Sequence, residues 1–128
     1  MIDTFSVEII SPEKLILKTK ITEAVIPSYE GEMGILKNHI PLITFLRPGI
    51  IKILGETNKN FFVEEGTVEF SSNNLLILTS NAEDLANINK TSLNNLINDA
   101  EKKINNNQIS DKERYLLSYK INTLKNIS

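Results

Sequence analysis

The sequence predicts a mainly β N-terminal domain followed by a pair of antiparallel helices. From Phe5 to Ile10, apolar residues recur at every second position, the period of a half-buried strand. Every glycine and every proline lies before residue 67. Residues 1–84 carry a net charge of −5 and residues 85–128 a net charge of +3. These shifts divide the chain into a β domain at 1–84 and a helical domain at 85–128.

Short apolar runs continue along the first domain, separated by residues typical of turns. Many short strands at nearly regular spacing, with no helical period between them, predict a sandwich or a barrel. The runs that follow the first strand are Leu15–Leu17, Ala24–Ile26, Ile35–Leu36, Leu42–Leu46, Ile50–Leu54, Phe61–Val63, Val68–Phe70 and Leu75–Leu78.

The second domain has the apolar period of two amphipathic helices. Asn105–Asn107 is the expected break, because asparagine tolerates the left-handed conformation at a helix end. Ser110 and Glu113 have the spacing of a capping box, in which each side chain satisfies a free backbone N–H. The apolar positions are Leu93, Leu96, Ile97, Ala100 and Ile104 in the first helix, and Leu117, Ile121 and Leu124 in the second.

Composition and motifs exclude most kinds of catalytic and ligand site. There is no cysteine, and His39 is the single histidine, without a visible nucleophile or orienting partner. A structural or interface role is therefore the expectation for His39. We predict no catalytic residue, no metal site and no cofactor. A net charge of −2 argues against nucleic-acid binding, and no apolar run approaches the roughly 18 residues of a membrane span.

One segment, Ile26–Ile43, is specific enough to suggest a family. It contains Glu30-Gly31-Glu32, Gly34-Ile35 and His39-Ile40-Pro41-Leu42, and Arg47-Pro48-Gly49 follows it. This pattern resembles the ATP synthase epsilon chain family. The similarity continues through Phe62–Val63, Gly66–Phe70, Leu76–Leu78 and Ala82–Glu83. The resemblance implies a ten-stranded β-sandwich followed by an α-helical hairpin.

The resemblance also implies a function without catalysis. Members of the family are central-stalk (rotor) subunits of the proton-translocating F-type ATP synthase. The expected partners are the gamma subunit, the ring of c subunits and the alpha/beta catalytic head. The expected role is to couple that head to the c ring, to support ATP synthesis driven by a proton gradient, and to inhibit ATP hydrolysis through the C-terminal helices. Because the N-terminus lacks the pattern of a transit or signal peptide, we expect a peripheral position on the cytoplasmic side of a bacterial inner membrane.

Contact residues follow from the resemblance position by position. The glycines at 31 and 34 are expected to let Tyr29–Leu36 project as a compact loop. That loop would meet the c ring through Glu30, Gly31, Glu32 and Met33. The gamma subunit would be met by Ser11, His39 and Thr44, and the catalytic beta subunits by Lys112, Arg114, Lys120 and Lys125. Core packing is the preferred interpretation for Leu36, Pro41, Leu42 and Leu46.

Two questions stay open in the sequence. The hairpin could be folded onto the sandwich or extended along gamma. A free-standing β-sandwich binding module with a helical tail is the alternative function, and a small enzyme using His39 is a weaker one. ATP binding by this chain is not expected, because the family's ATP motif keeps only its leading aliphatic residue, Ile88. Asn89, Ser92 and Leu93 replace its acid, arginine and alanine.

Overall fold

The computed structural model describes residues 3–127, and it contains ten strands, a 3₁₀ turn and two helices. Each apolar run named above lies within or overlaps one of the strands. The elements are β1 Phe5–Ile10, β2 Leu15–Ile21, β3 Glu23–Ser28, β4 Gly31–Leu36, β5 Leu42–Leu46, β6 Gly49–Leu54, β7 Lys59–Val63, β8 Gly66–Ser71, β9 Asn74–Thr79, β10 Ala82–Asp84, the 3₁₀ turn Leu85–Asn87, α1 Lys90–Ile104 and α2 Asp111–Ile127.

The strands form one continuous sheet that folds over into two layers. Its order is β10-β7-β6-β3-β5-β8-β9-β1-β2, with β4 paired to β3. Strands β3 and β5 are joined by the single pair Ser28–Leu46, so the sheet bends there. We call β10, β7, β6, β3 and β4 the first layer, and β5, β8, β9, β1 and β2 the second layer. The predicted β-sandwich followed by a helical hairpin is confirmed.

The main core lies between the layers and follows from the alternation along each strand. Inward residues such as Val7 and Ile9 of β1, Ile51 of β6 and Ile77 of β9 are fully buried. Their outward neighbours are half-buried or exposed. Of the four residues expected in the core, Leu46 is buried and Leu42 packs against the cluster. The expectation is wrong for Leu36 and Pro41, which are exposed, because Leu36 points outward at the end of β4 and Pro41 precedes β5.

The hairpin is folded onto the outer face of the first layer through a second, smaller apolar cluster. Phe62 of β7 alternates with Phe61 and Val63, so it points away from the main core and toward the helices. It packs with Leu93 and Ile97 of α1 and with Leu124 of α2. This position answers the question that the sequence left open: α2 lies against the sandwich.

The helix ends are capped largely as the sequence indicates. The Asn89 side chain accepts the Ser92 N–H at 2.7 Å and begins α1. Ser110 accepts the Glu113 N–H at 3.1 Å, which confirms its half of the capping box. The Glu113 carboxylate instead accepts the Ser110 hydroxyl at 3.3 Å. The helix breaks at Asn105, but that residue has right-handed φ and ψ, so the left-handed expectation is wrong there.

Candidate functional site

The β3–β4 turn consists of Tyr29 and Glu30 at one end of the sandwich. Three hydrogen bonds hold it in place. The Ser28 hydroxyl donates to the Gly31 carbonyl at 2.7 Å, Arg47 Nε donates to the Ser28 carbonyl at 2.8 Å, and the Tyr29 N–H donates to the Phe45 carbonyl at 3.3 Å. The Glu30 side chain is exposed at this turn, so a hydrogen-bonded turn presents its carboxylate to solvent at the end of the sandwich.

The predicted compact loop over Tyr29–Leu36 is wrong beyond this turn. Gly31–Leu36 is strand β4, paired with β3 along its whole length. Gly31 has φ +119°, a conformation that favours glycine. Gly34 makes no turn, and a Cβ there would meet Glu23 Oε2 at an ordinary 3.6 Å. The segment is therefore a straight hairpin with one glycine that its backbone requires.

Strand alternation sends the expected c-ring residues in different directions. Glu32 is exposed on the outer face of the first layer, where it lines a groove with Arg47, Lys52 and Thr123 of α2. Met33 points the other way and packs, half-buried, against the main core. Glu30 and Glu32 are therefore the two exposed carboxylates of this segment.

Aromatic side chains join the β3–β4 turn to α2. The Tyr29 ring is stacked on that of Tyr115 at 5.9 Å and 9°, and Tyr115 meets Tyr119 edge-on at 4.9 Å. The Arg47 guanidinium lies 4.0 Å from the Tyr119 ring centroid, a cation–π contact. Desolvation is the first cause that raises the pKa of the Tyr115 phenol above its ordinary value of 10.0, and a hydrogen bond with Tyr119 is the second. We call these four side chains the tyrosine–arginine stack.

The outer face of the second layer carries large apolar residues that the described part of the chain leaves largely exposed; Lys112 of α2 lines a groove beside two residues of this face, Phe45 and Thr67. The register places one residue of each strand in a single row across the layer. Phe45 in that row is 58% exposed, and Ile43 in the next row is 76% exposed. At about 4.8 Å between strands the row is roughly 20 Å long. Its members are Phe45, Thr67, Leu78, Ile10 and Leu15, and we call it the apolar row.

The three residues expected to contact gamma do not lie together. Ser11 follows Ile10 at one end of the apolar row, in a turn where its N–H donates to the Lys14 carbonyl at 2.9 Å. His39 lies at the opposite end of the sandwich, edge-on to Phe70 at 5.9 Å, with Nδ1 2.7 Å from the Ile40 carbonyl. Thr44 pairs with the buried Val68 and is itself half-buried on the inward face of β5.

The four cationic residues expected to contact the beta subunits include three with partners in this chain. Lys120 Nζ lies 2.6 Å from Glu64 Oε1 of the sandwich, and its side chain is only 13% exposed. Lys125 pairs with Glu101 of α1 at 3.8 Å. Arg114 donates to the Ile104 carbonyl at 2.7 Å and thereby satisfies the end of α1. Lys112, in the first turn of α2, is exposed.

Other kinds of site find little support in residues 3–127. No group of three or more metal-ligating side chains comes together there. Neither helix in this part of the chain is long and apolar enough to cross a membrane. What the geometry offers is a set of surfaces: an acidic turn, an apolar face and a cationic helix. Surfaces of this kind suit contacts between subunits.

Comparison with known proteins identifies the family. The family model described as "ATP synthase, Delta/Epsilon chain, beta-sandwich domain" matches residues 4–85. The ATP synthase epsilon chain of Pelagibacter ubique is 45% identical over 130 residues, covering 100% of both chains. This chain belongs to the ATP synthase epsilon chain family. Membership confirms the resemblance seen in Ile26–Ile43, and with it the prediction of an ATP synthase subunit that is not itself an enzyme.

A more distant epsilon chain agrees in sequence, and a chain of a solved ATP synthase structure agrees in fold. The epsilon chain of Rhizobium etli (strain CIAT 652) is 33% identical over 106 residues, covering 81% of this chain and 78% of the relative. A chain in the structure of the Euglena gracilis mitochondrial ATP synthase (OSCP, F1 and c-ring) aligns with a TM-score of 0.74 at 20% identity. That alignment covers 95% of this chain and 78% of the other.

The sequence reasoning missed two features of this epsilon-family chain. The first is the apolar row, although the outward positions of β5 and β9 could have been found by counting alternate residues from the buried ones. The second is the tyrosine–arginine stack. Its members are spread from Tyr29 to Tyr119, and only the fold brings them together.

Proposed function

We propose that this chain is the non-catalytic central-stalk subunit of a proton-translocating F-type ATP synthase, joined to gamma and standing on the c ring. The apolar row is the observation that carries the assembly part of this proposal. A subunit that worked alone would gain nothing from exposing Phe45, Ile43 and Leu78 on one flat face. The same face favours a protein partner over a small ligand, because the apolar row crosses the whole layer, well beyond the groove that Phe45, Thr67 and Lys112 line at one end.

The second layer is the surface that we assign to gamma. Its outer face lies away from the first layer, whose own outer face holds the hairpin. A partner could therefore bind over most of it without displacing α1 or α2, and would meet Lys112 of α2 beside Phe45 and Thr67. Ser11 and His39 would contact gamma at the two ends of the layer. Thr44 would act through the β5 backbone and its exposed neighbours, because its side chain points inward.

The β3–β4 turn is the surface that we assign to the c ring. Glu30 and Glu32 supply exposed carboxylates for its polar loops, and Gly31 gives the turn the backbone shape it needs. Met33 anchors this segment to the core and would contribute by fixing β4 in place. The partner's matching feature would be a basic or hydrogen-bond-donating loop.

Helix α2 is the regulatory element in this proposal. Lys112, Arg114, Lys120 and Lys125 would meet an acidic segment of the catalytic beta subunits and so inhibit ATP hydrolysis. Residues 1–84 would hold the subunit in the rotor, and residues 85–128 would regulate it. The complex would lie on the cytoplasmic side of a bacterial inner membrane, with this chain peripheral to it and without a bound cofactor or ATP of its own.

Charge placed in the apolar row tests the gamma assignment. Phe45→Glu should leave the isolated chain folded, because the side chain is already largely in water. It should abolish co-purification with gamma, since a carboxylate buried in an apolar interface without a partner is strongly unfavourable. Asn122→Glu adds the same charge at an exposed position of α2 and should co-purify normally. Undiminished gamma binding by a folded Phe45→Glu chain would exclude this face as the interface.

A further inference from the structure

All three tyrosines of the chain meet at one point between the sandwich and α2. Tyr29 comes from the β3–β4 turn, while Tyr115 and Tyr119 lie one helical turn apart on α2. Arg47 closes the group, because its guanidinium faces Tyr119 and its Nε donates to the Ser28 carbonyl directly before the turn. The contacts therefore run from the turn to α2 and back to the turn.

The short β3–β4 turn ties the backbone of Tyr29 to that of Glu30. It has two residues, and the other one is Glu30, the carboxylate at its tip. The Tyr29 N–H and the Ser28 carbonyl, on either side of the Ser28–Tyr29 peptide bond, are both hydrogen-bonded to neighbouring elements. The link to the backbone runs through Arg47, which contacts the Tyr119 ring and donates to the Ser28 carbonyl. If α2 moves away, Arg47 loses its contact with Tyr119, and its hold on the peptide bond next to Glu30 weakens.

The stack also holds a distinct part of α2. The fully buried attachment of this helix is Leu124, nine residues after Tyr115, or about 13 Å along the axis at 1.5 Å per residue. Between them lies the ion pair of Lys120 with Glu64. The N-terminal half of α2 can consequently loosen at the stack while its C-terminal half stays packed in the apolar cluster.

We infer that the tyrosine–arginine stack couples the seating of the N-terminal half of α2 to the conformation of the β3–β4 turn. Loosening α2 frees Tyr29 and changes how Glu30 is presented. Suppose that loosening α2 changes the affinity of the turn for a ligand by some factor. By thermodynamic reciprocity, binding of that ligand changes the equilibrium between loosened and seated α2 by the same factor. That the ligand is the c ring rests on the proposed function. The consequence is that binding at the c-ring contact and seating of the regulatory helix influence each other within one subunit.

Hydrogen exchange on the isolated full-length chain tests the coupling without any partner. Tyr115→Ala should raise exchange at the Tyr29 amide, and Tyr29→Ala should raise exchange at amides 111–119, each by roughly two- to tenfold, the range expected for loss of one aromatic pair. Tyr115→Phe keeps the ring and should restore most of the protection. Asn122→Ala, exposed on the same helix, should leave the Tyr29 amide unchanged.

The outcomes separate this inference from the proposed function. If Tyr115→Ala raises exchange in α2 but not at Tyr29, the stack does not couple the two elements and the inference is wrong. In the assembled complex, Tyr115→Ala should alter the ratio of protons pumped to ATP hydrolysed, and so should Glu30→Lys. If the exchange results hold while neither variant changes that ratio, the stack stands as a coupling element and the c-ring contact is refuted.

Discussion

Removing the Leu124 side chain should release the hairpin from the sandwich without unfolding the sandwich. Leu124 is 0% exposed and packs with Phe62, Leu93 and Ile97 in the apolar cluster that joins the two parts of the molecule. None of these residues belongs to the main core between the two layers. Leu124→Ala therefore perturbs the docking cluster, including the contact of α2 with α1, and leaves the main core intact.

The size of the effect follows from the carbon atoms removed. Leucine to alanine deletes three carbon groups at about 0.8 kcal/mol each, or about 2.4 kcal/mol. The cavity left behind adds to this, so a loss of about 3 kcal/mol is expected, within the range of about 2–5 kcal/mol for buried positions. A change of that size shifts the docking equilibrium on the order of 100-fold.

Native-state hydrogen exchange resolves the two parts. In Leu124→Ala, amides of α2 should exchange on the order of 100-fold faster, while those of β8 and β9 keep the wild-type rate. Leu75→Ala, a deletion of the same size in the main core, should instead accelerate exchange throughout the chain. Equal acceleration of strands and helices in Leu124→Ala would show that the chain opens as one cooperative unit, and the two-cluster description would then fail.

Four further outcomes are expected. Gly31→Ala should cost about 1–2 kcal/mol of unfolding free energy because of its positive φ, whereas Gly34→Ala should change it by about 0.5 kcal/mol or less; urea denaturation of the pair measures both. Lys120→Met should weaken the contact of α2 with the sandwich by less than about 1 kcal/mol, and the effect should be smaller at high salt. Hydrogen exchange of the α2 amides at two ionic strengths measures this. Glu32→Lys should reduce the coupling of hydrolysis to proton pumping in reconstituted membranes without altering the melting temperature. Calorimetry with ATP should show no micromolar binding, because Asn89 caps α1 and offers no charged contact.

The strands and helices were predictable because their signals are local. Alternation in β1 and the apolar stripe of α1 each follow from contacts within a few residues along the chain. Ser110 and Asn105 mark helix ends for the same reason: capping is a matter of neighbouring backbone groups. The sequence indicated the break at Asn105 but not its right-handed conformation, because asparagine tolerates more than one backbone conformation at a helix end.

The surfaces were harder to predict because they depend on which face of each strand is buried. Leu36 and Phe45 look like core residues in sequence, and both are more than half exposed. Gly34 looks like a turn residue beside Gly31, yet it lies inside a paired strand. Hydrophobicity alone does not separate an inward leucine from one at a subunit interface, and long-range pairing decides the matter.

The position of the hairpin on the sandwich affects how the cationic residues of α2 can act on a partner. Lys120 cannot hold Glu64 and an acidic segment of a beta subunit at the same time. If α2 inhibits hydrolysis as proposed, Lys120 exchanges the carboxylate of Glu64 for one of a beta subunit, so its attraction largely cancels between the two states. The net contribution of Lys120 is then a small difference between two attractions. A tenfold shift of α2 between its two positions takes only about 1.4 kcal/mol. Deleting residues 88–128 should therefore raise ATP hydrolysis by the assembled complex. Neutralising Lys120 alone should change it little, since that substitution weakens both states together.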